Sequence, residues 1–355
     1  MWPFIVGVLG LSSGINDHPK NLQGVTVTAP STPGFTLPAI PPMAVAPPTI
    51  QYLMPTLGAA FNPGSAKAVS GDQGDCGGNP VQRYTGNKIE PELDFVSGGE
   101  MGLLLQRRYS HAAAAFEQPN SLRGMFGDHW RSTFDYSVEL TNNLAIAWAW
   151  RPDGARRQFV RAGDGRYEEL GRNGRNPKSY IVLKGAVSNG AELELHTEDN
   201  ETEIYRYFIL GVGYMGGYVV KRTNAQGLSW NFSYAPPVTG AWPANARLTK
   251  VEHSSGRSVQ FAWNGSQLIQ AVDPAGNVYG YAYDANGHLS SATLPGPPST
   301  TISYHYENSQ YPGALTGKSF NGLRYSTFGY EGEGRATSTV HPRGVERKTI
   351  LYLCG

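Results

Sequence analysis

The stretch YAYDANGHL, Tyr281 to Leu289, sets two tyrosines two residues apart ahead of Asp284, Asn286, Gly287 and a closing apolar residue. Its polar centre could be a site or a turn, and its neighbours decide. With Gly276 as anchor, aromatics fall three, five and seven residues on, at Tyr279, Tyr281 and Tyr283. The same offsets from Gly256 give Val259, Phe261 and Trp263, and from Gly227 they give Trp230, Phe232 and Tyr234. Eight residues before each glycine stands an aliphatic: Val219, Leu248 and Leu268. Three units share one pattern: an aliphatic strand, a turn ending in glycine, and a strand with large residues at alternate positions.

Alternate residues of a strand share a face, so each trio lies on one side. Removing such side chains from water contributes about 25 cal/mol per Å2 of apolar surface. Asp273-Pro274-Ala275-Gly276 suits a type I turn, and Asn286-Gly287 supplies left-handed positions for the next. Asp284, Asn286 and Gly287 are therefore predicted to shape a hairpin. Tyr330-Glu331-Gly332-Glu333-Gly334 and His341-Pro342-Arg343-Gly344 repeat the pattern in degraded form, and Ile302, Tyr304 and Tyr306 make another alternating trio. The anchors at 227, 256 and 276 are 29 and then 20 residues apart, which predicts stacked hairpins of unequal loop length.

Upstream, Leu103, Leu105 and Arg107, then Phe134, Tyr136, Val138 and Leu140, then Ile204, Tyr205, Tyr207 and Ile209 read as strands. Asp153-Gly154, Asp164-Gly165, Asn173-Gly174 and Asn189-Gly190 are hairpin turn signals between them. Helical periodicity is confined to a possible turn at Ala112–Phe116. The fold is predicted to be all-β, with antiparallel hairpin repeats forming a twisted open sheet. An open edge leaves backbone groups unpaired, so association or proteolysis beyond Leu289 is expected.

Composition narrows the function. The 355 residues carry a net charge of +1 and only 16% charged residues, which gives no electrostatic case for a nucleic-acid partner. Cys76 and Cys354 stand alone, without the spacing of a zinc site. Trp2 to Leu11 is an apolar run of export-signal length with no preceding Lys or Arg; it is either an atypical signal or a buried segment. From Asn21 to Ala66 there is no charged residue and proline is dense, which predicts extended chain. No stretch is long and apolar enough for a transmembrane helix. The expected divisions are 1–20, 21–77, 78–215 and 216–355.

YAYDANGHL preceded by VDPAG resembles the YD repeat of RHS proteins. GNPVQRYTGNKIEPELDF (Gly78 to Phe95), LLLQRRYS (Leu103 to Ser110) and GMFGDHWRSTFDYSVEL (Gly124 to Leu140) resemble the domain that commonly precedes the RHS core. The resemblance implies a bacterial, secreted or surface polypeptide whose β-sheet winds into a shell around a C-terminal effector, often a toxin. Partners so implied are the rest of the shell, the effector, and a secretion apparatus or surface component; before export the location would be cytoplasmic. The chain holds few repeat units and no C-terminal core motif or effector, and so reads as an N-terminal fragment or a gene product cut short.

Candidate chemistry competes poorly with architecture. Gly10-Leu11-Ser12-Ser13-Gly14 matches a nucleophile elbow in letters, but His18-Pro19 blocks the helix that must follow. Gly313-Ala314-Leu315-Thr316-Gly317-Lys318-Ser319 is one residue short of a phosphate loop and reads as a connection between repeats. Glu90, Glu92 and Asp94 alternate, as do Glu192 with Glu194 and Glu201 with Glu203; these could serve glycoside hydrolysis, but solvent-facing strand positions give the same pattern. His305 lies opposite Tyr304 and Tyr306, Asp128-His129 adjoins Trp130 as a packing element, and Arg107 and Arg108 point to opposite faces. Asp284 and Asn286 make only part of a calcium loop. No catalytic, cofactor-binding or metal-binding residue is expected, and no cofactor. The competing reading is a surface β-module that binds glycan or a protein partner through exposed aromatics such as Tyr279, Tyr281 and Tyr283; a carbohydrate-active enzyme using the strand carboxylates is a third.

Overall fold

Period-two alternation becomes strand throughout the computed structural model, which describes residues 76–77, 81–82, 85–112, 124–171, 178–185, 192–211, 213–235, 246–340 and 347–349. The Trp2–Leu11 run, the Gly10–Gly14 motif, the proline-rich segment, Cys354, His341–Gly344, Asn173-Gly174, Asn189-Gly190 and all but Ala112 of the possible helical turn lie outside these residues.

Strands β1 (Cys76–Gly77) and β2 (Val81–Gln82) pair with each other, and β3 (Ile89–Val96), β4 (Leu104–Ser110) and β5 (Trp130–Ser132) form a small antiparallel sheet. The large sheet begins with β6 (Ser137–Thr141), β7 (Ile146–Trp150), β8 (Arg156–Arg161), β9 (Tyr167–Glu169), β10 (Tyr180–Lys184), β11 (Glu192–His196), β12 (Thr202–Gly211) and β13 (Tyr214–Thr223). Each pairs antiparallel with the next. The first half of β13 also pairs back on β6, Met215 with Leu140 and Tyr218 with Ser137, which closes a ring of eight strands. One face of every ring strand is dry and largely apolar, with Val138, Phe159, Tyr167, Ile181, Leu193, Tyr205 and Val219 at 0–1% exposure. A barrel of about eight strands is just wide enough for side chains to fill its interior. The repeat pattern, which ends upstream at Val219, carries no sign of this closure.

The second half of β13, Lys221 to Thr223, pairs instead with β14 (Ser229–Ala235) and opens the ring into a meander. It continues as β15 (Arg247–His253), β16 (Ser258–Asn264), β17 (Gln267–Val272), β18 (Val278–Tyr283), β19 (Leu289–Leu294), β20 (Thr300–His305), β21 (Gly317–Phe320), β22 (Leu323–Tyr330), β23 (Ala336–Val340) and β24 (Arg347–Thr349). The chain is thus all-β and antiparallel, and YAYDANGHL is the end of β18, its turn and the first residue of β19. The boundary expected between 215 and 216 falls inside β13, and one core crosses it.

The turns explain the glycine anchors. In each, the first residue donates its N–H to the fifth residue's carbonyl, and the fourth, glycine, donates back to the first: Asn224 to Leu228, His253 to Arg257, Asp273 to Asn277, Asp284 to His288 and Glu331 to Arg335. The glycines at 227, 256, 276, 287 and 334 have φ between 78° and 88°, the left-handed position that closes a type I turn into a hairpin. Asp284 Oδ1 accepts from the amides of Asn286 and His288 at 2.9 and 2.8 Å, and Asp273 Oδ1 does the same for Ala275 and Asn277. The polar centre of the opening stretch is a turn.

Phe134 and Tyr136 depart from the expected strand. They sit in a bend between β5 and β6 because the buried Asp135 carboxylate accepts from the amides of Ser132 (2.6 Å) and Met125 (3.1 Å), which folds the chain back. Both rings remain buried.

Candidate functional site: the seam between the small sheet and the repeats

The first two members of each trio face a dry interior: Trp230 and Phe232, Val259 and Phe261, Tyr279 and Tyr281 are at most 7% exposed. What covers them is the small sheet. Trp230 Nε1 donates to the Met101 carbonyl at 2.7 Å. Phe134 packs on Trp230 and Phe261, Phe95 on Tyr279, Phe126 on Tyr281 and Trp130 on Tyr304, with ring centroids 4.8–5.7 Å apart. Trp130 Nε1 donates to Tyr306 Oη at 2.9 Å, and Tyr109 Oη donates to the Gly313 carbonyl at 2.8 Å. The small sheet touches successive hairpins in turn.

Its face is also charged. Glu90, Glu92 and Asp94 alternate on β3, and all three are buried against the repeats rather than facing solvent, which corrects the expectation from their spacing. Lys318 on β21 donates to Glu90 Oε1 at 2.6 Å and Glu92 Oε1 at 2.7 Å, while Lys88 donates to Glu90 Oε2 at 2.6 Å. Arg107 on β4 makes a two-point contact with Asp94, both bonds 2.8 Å, and donates from Nη1 to Tyr304 Oη at 2.9 Å. Tyr281 Oη donates to Asp94 Oδ2 at 2.6 Å.

Burial would raise Glu90, but the ammonium groups of Lys88 and Lys318 outweigh it and hold that carboxyl below its ordinary value. Burial raises Glu92, and the Lys318 charge only partly offsets it. Burial lowers Lys88. Lys318 goes up: the cost of burial is exceeded by the two carboxylates it bonds. Chemically, the cluster is a self-neutralised set of two cations and two carboxyls that ties β3 to β21 and is covered on all sides.

The other candidates disperse. Glu203 is fully buried and chelated by Arg151 at 2.5 and 2.6 Å, with the Tyr205 hydroxyl bonded to it; Glu201 pairs with Arg222 at 2.7 Å. Glu192 and Glu194 lie partly exposed beside Arg206, Lys184 and His196. The phosphate-loop lookalike divides into a loop and β21: Lys318 turns inward to Glu90 and Glu92, and a Cβ at Gly313 would lie 2.1 Å from His129 Nε2. His305 lies on the outer side, where its Nε2 is 2.7 Å from Ser319 Oγ. Trp130 is a core anchor at 1% exposure, and Arg107 is buried while Arg108 points the other way. Among the described residues no group of three or more His, Cys, Asp or Glu side chains is arranged to hold a metal ion.

Sequence reasoning missed Lys88, Lys318 and Arg107 as counter-ions: Lys318 lies more than 220 residues from its carboxylates, and the pairing of Lys88 with Glu90 and of Arg107 with Asp94 depends on the burial that the repeats impose. It also missed a bond that recurs in every unit. The third trio residue donates to the carbonyl of the aliphatic that precedes its turn: Tyr234 to Val219 (2.9 Å), Trp263 to Leu248 (2.7 Å) and Tyr283 to Leu268 (3.1 Å). Tyr306 to Leu289 (3.0 Å) and Tyr330 to Leu315 (2.8 Å) repeat it. The 15-residue offset between aliphatic and aromatic, shared by all these pairs but Leu289 and Tyr306, was the available signal.

Comparison with known proteins adds the following. Residues 78–159 match DUF6531, a domain of unknown function, and residues 264–297 match the RHS repeat. No curated protein matches the sequence. Among solved structures, the chain is similar to the crystal structure of TcdB2-TccC3-TEV at 11% identity and a TM-score of 0.21, covering 71% of this chain and 15% of that one. It is similar to the crystal structure of TcdB2-TccC3-Cdc42 at 14% identity and a TM-score of 0.17, covering 70% of this chain and 15% of that one. This chain spans 15% of the length of either. The hairpins around YAYDANGHL thus carry an RHS repeat, and the small sheet laid across them falls within the match to DUF6531.

Proposed function

We propose that this chain is a structural, non-catalytic section of an RHS-type polypeptide, secreted or displayed at a bacterial surface, whose sheet encloses or presents a C-terminal effector. The mechanism is steric: beyond the stretch that the small sheet covers, inward side chains meet whatever is enclosed, and the sheet excludes water and proteases. The rest of the shell, the effector and a secretion apparatus or surface component are its partners in this reading. The supporting observation is the seam itself. The aromatic face of the repeats is already inward, dry and covered by the small sheet, with Tyr279 and Tyr281 at 5% and 6% exposure. That argues against a glycan-binding surface, which needs those rings open to stack on sugar.

Protease protection tests enclosure. In the polypeptide that carries this chain, digestion should leave the repeats and the segment that follows as one resistant body. Rapid release of that segment from an intact sheet would overturn the reading. Polysaccharides incubated with the chain should remain uncleaved; a hydrolysis that Glu92→Gln abolishes without disturbing the fold would refute the non-catalytic part.

A further inference from the structure

Three imidazoles from three places in the sequence meet at one end of the seam. His111 follows β4, His129 precedes β5, and His288 closes the Asp284 turn of the repeats. His111 and His129 are parallel, with centroids 5.9 Å apart and an interplanar angle of 6°; His129 and His288 are 6.4 Å apart. Two rings of the row thus belong to the small sheet and one to the meander.

Burial favours the neutral form of His111 and His129. On the small-sheet side the row meets Tyr109, whose ring lies 5.6 Å from His129 and whose hydroxyl is 3.3 Å from His111 Nδ1, and the carboxyl of Asp128 acts on His129. On the repeat side it meets Tyr311 and Tyr330 against His111, and Tyr306 against His288. Asp284 Oδ2 lies 3.0 Å from His288 Nδ1. The nearby turn charges Glu331, Glu333 and Arg335 pair among themselves, and Glu307 pairs with Arg324. The three rings are half-buried and closely approached by the repeats: a Cβ at Gly313 would lie 2.1 Å from His129, and one at Gly334 3.4 Å from His111.

We propose that the stacked His111–His129 pair, set against His288, Tyr311 and Tyr330 of the repeats, is an acid-responsive latch between the small sheet and the repeats, closed when the pair is neutral and opened when it takes up protons. The proposal rests on the structural reading of the seam and adds its regulation. Protonation of His111 and His129 would place like charges about 6 Å apart in a half-buried site, where their repulsion is less screened than in open water. Burial, with His129 alongside, moves His111 from 6.5 to about 4, and burial also lowers His129 despite the pull of Asp128. The sign follows: an opened seam binds protons more readily than a closed one, so closure is undiminished above the ordinary imidazole value and weakens as pH falls from there toward the lowered values.

Hydrogen exchange on the full chain at about pH 7.5 and about pH 5, corrected for intrinsic rates, tests this. Segments 105–112 and 306–316 should lose protection about tenfold or more at the lower pH, while β6–β13 keep theirs. The double variant His111→Gln/His129→Gln should keep the seam protected at both values. His288→Gln, which leaves the small-sheet rings in place, should reduce the acid response if the double variant does not fold. Unchanged seam protection at pH 5, or an equal loss in a folded variant, overturns the latch. Loss spread evenly over seam and ring also overturns it but spares the structural reading. A seam unprotected at pH 7.5 overturns the structural reading itself.

Discussion

Tyr281, the first residue of YAYDANGHL, donates a 2.6 Å hydrogen bond to Asp94 Oδ2, a residue 187 positions upstream. The repeat and the domain before it are thereby joined through a polar bond inside an apolar seam. Removing the donor alone leaves a buried carboxylate oxygen short of one partner. Tyr281→Phe should therefore destabilise the chain by about 1–3 kcal/mol, read from the urea midpoint. An unmoved midpoint would mean that Arg107 satisfies Asp94 by itself.

Arg107 carries the heavier share. It supplies the opposite charge to Asp94 in a site where both side chains are fully buried. Arg107→Met strands that carboxylate and should cost about 3–5 kcal/mol. Arg107→Lys should recover little, because one ammonium cannot reproduce the two-point contact with Asp94 and the bond to Tyr304 together. Adding Asp94→Asn to Arg107→Met should restore part of the loss, and a double-mutant cycle measures how much. Purely additive losses would show that the pair is not coupled.

The repeats were legible in the sequence because their partners are local. Gly276 and Tyr279 to Tyr283 announce turn, strand and face within eight residues, and the structure keeps all three. The small sheet was legible only as strands. Glu90 and Glu92 have the spacing of solvent-facing residues, and nothing near them in sequence reveals that Lys318, more than 220 residues on, covers them. The ring closure was hidden for the same reason, since β13 pairs with β6 through ordinary strand residues such as Met215 and Leu140. The third aromatic of each trio lies between these cases: Tyr283 and Leu268 were both visible, and only the bond between them was not.

That bond repeats, so its energetics can be measured several times in one molecule. Tyr234, Tyr283 and Tyr330 each stand at a register shift in the ladder, just after Ser233, Ala282 and Gly329, and donate to the carbonyls of Val219, Leu268 and Leu315. Replacing each by Phe keeps the ring and leaves the carbonyl unpaired, at about 1 kcal/mol apiece. Tyr234 and Tyr283 stand on β14 and β18, four strands or about 19 Å apart, so their losses should add within a few tenths of a kcal/mol. A shortfall in the sum would mean that neighbouring hairpins relax together.

Two glycines separate backbone strain from crowding. At Gly276 φ is 88° and nothing lies within 4 Å of the position a Cβ would take, so the cost of Gly276→Ala is conformational, about 1–2 kcal/mol, whatever surrounds it. Gly313 has no positive φ, yet a Cβ there would meet the His129 ring at 2.1 Å. Gly313→Ala should push His129 out of line with His111 and destabilise the seam, and His129→Ala should relieve that cost while leaving the Gly276→Ala cost unchanged. Thermal unfolding of the three single variants and the two doubles that carry His129→Ala distinguishes the two mechanisms. A Gly313→Ala penalty that survives the loss of the His129 ring would place its origin in the loop backbone, and the close approach of that loop to the small sheet would then not be what the glycine serves.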